Sequence, residues 1–105
     1  MKPIPPTYSL FFDELESKRQ EINSLLDQYD ETKDNETKRT IFIYLQYKLQ
    51  KLYEIKNDII FLEEKHNVKI STEQDFQVLS SLQSELLADL QRISTELNEE
   101  IFLLG

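Results

Sequence analysis

The chain has 105 residues and a formal net charge of −8, which allows one domain with one core and leaves little chain for an elaborate active site. It has no cysteine, its single glycine is the last residue and its three prolines lie within the first six, so disulfides and thiolate-bound zinc are excluded and a turn-rich β fold is disfavoured. The acidic balance argues against a phosphate-neutralising surface, and direct nucleic-acid binding is not expected.

The first eight residues, within "MKPIPPTYSLFF", read as an extended, proline-rich segment. The stretch has a lysine but no long apolar region and no small-residue cleavage site, so it does not read as a secretory signal. Nothing in the chain is apolar for long enough to span a membrane, and a cytoplasmic protein is expected.

A first helix is predicted over about 9–30, with Thr7 or Ser9 as its N-cap. Phe11, Phe12, Leu15, Ile22, Leu25, Leu26 and Tyr29 recur at three- and four-residue steps and share one stripe, interrupted by Arg19. The polar run "YDETKDNE", from Tyr29 to Glu36, reads as the first connection.

A second helix is predicted over about 36–66. Its apolar residues, among them Ile41, Phe42, Tyr44, Leu45, Leu49, Leu52, Tyr53, Ile55, Ile59, Ile60 and Leu62, cover about half of the circumference at ~100° per residue. That is too wide for an edge helix and suits one that touches two neighbours. The run "RTIFIYLQY" carries β-favouring residues, but a lone strand has no partner and the helical period continues through Leu62.

"KHNVKIS" reads as the second connection, and Ser71 to Gln74 fits a capping box. A third helix is then predicted over about 72–104, with Phe76, Leu79, Leu82, Leu86, Leu87, Leu90, Ile93, Leu97, Ile101 and Leu104 on one seam. The expected architecture is all-α: a single domain over 1–105, an antiparallel three-helix bundle with a long helical hairpin and coiled-coil-like packing.

Charge supports that pairing. Residues 1–34 hold eight acidic and four basic side chains, residues 35–70 five and seven, and residues 71–105 seven and one. The balances are −4, +2 and −6, so the middle segment complements both neighbours.

The shorter first helix is expected to cover the second only to about Ile55, leaving the tip of the hairpin bare. Ile59, Ile60, Phe61 and Leu62 would lie there, with residues 1–8 or a partner as the cover. Ile43, Tyr47 and Phe61 fall on the far side of the central helix, and Ile43 and Phe61 share one line almost five turns apart. At the C-terminal end, Phe102 and Leu103 have no common face with the seam. The expected interface is therefore Ile43, Tyr47, Ile59, Ile60, Phe61, Leu62, Phe102 and Leu103. Tyr44 and Tyr53 are expected to cover core edges, leaving Tyr47 outside.

Glu63 and His66 have the E-x-x-H spacing of di-iron carboxylate bundles, but such a site needs two of these motifs and two further glutamates. With one histidine at a helix end, a capping role is expected and no metal or cofactor. A Ser-His-Asp or Cys-His mechanism has nothing to build on, and there is no glycine-rich phosphate loop, so no enzyme is expected. The expectation is a small acidic protein that acts by protein–protein interaction, as adaptor, assembly factor or complex subunit, and forms a homodimer. The alternative is an acidic inhibitor that mimics nucleic acid or blocks a basic cleft.

Overall fold

The computed structural model describes residues 7–67 and 74–101, with only the backbone for residues 7–14 and for Asp75. Three helices follow in chain order: α1 (Thr7–Glu31), α2 (Asn35–His66) and α3 (Gln74–Leu97), with no strand among the described residues. They run up, down and up as an all-α three-helix bundle of 53 × 24 × 16 Å, in which α2 packs most extensively on α3, then on α1. The wide apolar face of α2 is the reason it takes the middle place.

α1 starts earlier than predicted, with Thr7 and Tyr8 already helical and Ser9 inside the helix. Residues 1–6 lie outside the described residues. The turn to α2 is only Thr32, Lys33 and Asp34, shorter than the polar run suggests, because Tyr29 is still helical and buried. No glycine is needed. The Asp34 carboxylate accepts from the Thr37 backbone N–H at 3.1 Å and from its hydroxyl at 2.6 Å, capping α2.

Two asparagines end the other helices. Asn67 takes the left-handed conformation (φ 53°) and its N–H donates to the Glu63 carbonyl, closing α2. Asn98 does the same for α3 (φ 55°), with its N–H on the Thr95 carbonyl at 3.3 Å and the Glu99 N–H on the Ser94 carbonyl at 3.0 Å. This is a Schellman motif, and it stops α3 at Leu97 although the apolar period runs on to Leu104. Ile101 still packs on the core from the non-helical segment. The capping-box residue Ser71 lies outside the described residues.

The core joins Leu15, Ile22 and Tyr29 of α1 to the inner faces of α2 and α3, where Leu45, Leu49, Leu52, Ile59, Leu79, Leu90 and Ile93 are fully enclosed. Two glutamines, Gln46 and Gln83, are buried with it. The Gln83 amide donates to the Leu52 backbone carbonyl at 3.0 Å, fixing the level of α3 against α2. Register is also marked by ion pairs. Lys48 meets Glu21 at 2.6 Å between α2 and α1, and Arg39 meets Glu99 at 3.1 Å beyond the end of α3. Both join a basic residue of the middle segment to an acidic residue of a neighbour, and each exposed pair contributes only ~0.2–1 kcal/mol.

The antiparallel register corrects one expectation. Lys38 lies over the Tyr29 ring at 5.1 Å and Glu21 meets Lys48, so residue numbers at one level sum to about 68. Thr7 therefore reaches the level of about residue 61, well past Ile55. Ile59 is fully enclosed and Leu62 half-buried against the core, so neither lies on a bare hairpin tip.

Candidate functional site

The strongest surface feature is the side of α2 that faces away from the core. A helix spanning a bundle centre still has an outer line, and here that line and its two flanks carry large apolar groups. Ile43 is 50% exposed, Tyr44 53%, Tyr47 62%, Ile60 38% and Phe61 62%. Scattered exposed apolar residues are ordinary. These are not scattered: Ile43, Tyr44 and Tyr47 fall within two turns near one end of α2, and Ile60 and Phe61 within its last two turns. Gln50, Glu54, Asn57 and Asp58 lie between the two groups.

The first group borders an open groove of about 680 Å³ between α1 and α2. Tyr44, Tyr47, Lys48 and Lys51 form its α2 wall, and Ser17, Gln20, Glu21, Ser24 and Gln28 its α1 wall. The groove exists because α1 offers the small side chains Ser17 and Ser24 opposite two tyrosines, which then have nothing to lie under. Its charges are paired. The Lys48 ammonium holds the Glu21 carboxyl below its ordinary range, first through their hydrogen bond and then through its charge. Lys51 contacts Glu54 at 3.2 Å. The result is an amphipathic wall with no stranded charge, suited to receiving an apolar or neutral side chain from another protein.

Of the residues predicted for an interface, Ile43, Tyr47, Ile60 and Phe61 are exposed, Leu62 is half-buried and Ile59 belongs to the core. Phe102 and Leu103 lie outside the described residues. Tyr53 is half-buried and packs on the core as expected, but Tyr44 does not. Tyr44 sits at the edge of the apolar arc, where periodicity alone cannot say whether a neighbour covers it. The available signal was on α1, in Ser17 and Ser24, two turns apart on one line.

No family model, curated protein or solved structure matches the chain.

Other chemistries find less. Glu63 and His66 lie in the last turn of α2, with His66 exposed beside the Asn67 cap. Among the described residues no group of three or more His, Cys, Asp and Glu side chains is placed to hold a metal ion. Among the same residues no helix is long and apolar enough to cross a membrane. The acidic α3 does not present a continuous anionic array. Its outer ridge is Gln77, Ser81, Ser84, Ala88, Gln91 and Thr95, while Arg92 stands between Asp89 and Glu96 at 3.8 and 3.4 Å.

Proposed function

We propose that this is a small acidic, non-catalytic helical protein that works by binding other proteins, a second copy of itself included, through the outer face of α2. It serves in the cytoplasm as an adaptor, assembly factor or complex subunit. The observation that carries this reading is the Ile43–Tyr44–Tyr47 cluster, half or more exposed and continuous with a groove whose charges are already neutralised. Tyrosine supplies large contact area with few rotatable bonds, which is why it is enriched at interfaces. The inhibitor reading has less support, because the outward ridge of α3 is uncharged.

The test uses the immobilised full chain as bait in extract of its own cells, with Tyr47→Glu and the wild type in parallel. Retention of a defined polypeptide, reduced about tenfold or more by Tyr47→Glu at unchanged helix content, is expected. No retained polypeptide, or equal retention by both baits, would overturn the proposal.

A further inference from the structure

The outer line of α2 has an internal order that identifies one partner. Ile43, Tyr47, Gln50, Glu54, Asn57 and Phe61 follow one another at steps of four, three, four, three and four. That is the spacing of a coiled-coil seam, and it lies opposite the seam already buried in the bundle. All six residues are exposed except Gln50, which is half-buried. We infer that this is a second seam, and that its occupant is the α2 helix of another copy of this chain, packed antiparallel about a two-fold axis near Leu52. The inference rests on the proposed interaction surface and specifies its partner.

The spacing of the seam is symmetric about residue 52. An antiparallel copy therefore sets Ile43 against Phe61 of the partner subunit, Tyr47 against Asn57 of the partner subunit, and Gln50 against Glu54 of the partner subunit. The two-fold repeats each layer, so an apolar pair closes each end. Ile43 and Phe61 of one chain are separated by about 27 Å at 1.5 Å per residue, so only a second chain can join them.

Orientation is decided at Glu54. A parallel pair would stack Glu54 on its own copy, two carboxylates in one layer. The antiparallel pair gives each carboxylate an amide N–H from Gln50 and gathers two Lys51 and two Glu54 side chains into a neutral group around the axis. Charge also selects this face. Residues 35–70 carry a balance of +2, against −4 and −6 in the flanking segments. Two copies meeting through α1 would press like charge on like charge, whereas the outer face of α2 carries Lys51 and Glu54 together and approaches its own copy with less repulsion.

The test is a charge exchange read by size-exclusion chromatography with light scattering, from micromolar to millimolar chain. Both sites are exposed in the monomer, and circular dichroism verifies each variant's helix content. The wild type is expected to form dimers. Ile43→Lys and Phe61→Glu are each expected to weaken them about tenfold or more. An equimolar mixture of the two variants, or one chain carrying both, should recover dimers, because each Lys then faces a Glu across the axis. Wild-type dimers unaffected by either variant would overturn the seam while leaving self-association in place. Failure of both the mixture and the double variant to recover dimers would overturn the antiparallel register. A wild type that stays monomeric throughout would overturn this inference alone, since the bait experiment decides the wider reading separately.

Discussion

Tyr29 is a core residue whose hydroxyl still requires a partner. Its ring is 2% exposed, and the Oη–H donates to the Glu96 carboxylate at 2.7 Å, joining the end of α1 to the end of α3. Burial, reinforced by that bond, pushes the phenol up from 10.0 to about 12, and the same bond holds Glu96 below its ordinary 4.5. The fold thus favours a neutral phenol facing an ionised carboxylate. The phenol's contribution is complete below pH 10 and is lost as pH rises towards about 12. The carboxylate's contribution is present above 4.5 and is lost as pH falls through the lowered pKa. Tyr29→Phe keeps the ring and removes the bond. A loss of about 1 kcal/mol is expected at neutral pH, below the upper range for bonds to charged groups because the exposed Glu96 regains water. In a domain of this size that lowers Tm by about 4–8 °C. Thermal melts across pH should show the variant converging with the wild type at both extremes, and a constant difference at every pH would refute this account.

At the level of elements, three helices and their order were legible because each apolar stripe repeats at helical steps over several turns. Helix ends were harder to read. The apolar positions Ile101 and Leu104 continue the α3 seam, so periodicity carries the helix past its end, whereas the end depends on the backbone of one residue. Asn98 provides it by adopting φ 55°, a conformation asparagine tolerates better than most residues other than glycine. Asn67 does the same for α2, and in a chain whose only glycine is Gly105 these asparagines are where such stops can fall. Ile59 was misplaced for a different reason: how far α1 reaches along α2 depends on the register between the two helices, which no local pattern records. The asparagine argument predicts that Asn98→Gly raises stability by up to about 1 kcal/mol, through relief at positive φ offset by extra freedom in the unfolded chain, whereas Asn98→Ala lowers it. Denaturant midpoints of the two variants should move in opposite directions. Midpoints moving together would show that the α3 terminus does not depend on the left-handed cap.

At the scale of the whole molecule, the governing quantities are a slab 16 Å thin and a net charge of −8. A three-helix bundle this slender leaves the outer line of its middle helix uncovered, which is how α2 can face the core and a second copy together. Charge opposes the meeting. Two copies repel at long range even where the α2 strip is locally balanced, and the contact must draw its strength from Ile43 against Phe61 and from the tyrosines. Salt separates these contributions. The Debye length falls from about 10 Å at 0.1 M to about 3 Å at 1 M, which removes most repulsion between the distant acidic faces of α1 and α3 but leaves apolar burial intact. Raising salt from about 0.05 to 0.5 M at pH 7 is therefore expected to tighten the dimer by about two- to tenfold. Were the Lys51 and Glu54 group around the axis the main source of affinity, the same salt would loosen it. Lowering the pH towards the isoelectric point of about 4.6 would also reduce repulsion, but it does so by titrating the protein's own carboxylates, so folding and association would change together. Salt at constant pH avoids that overlap, and sedimentation equilibrium across the salt series reads the sign directly.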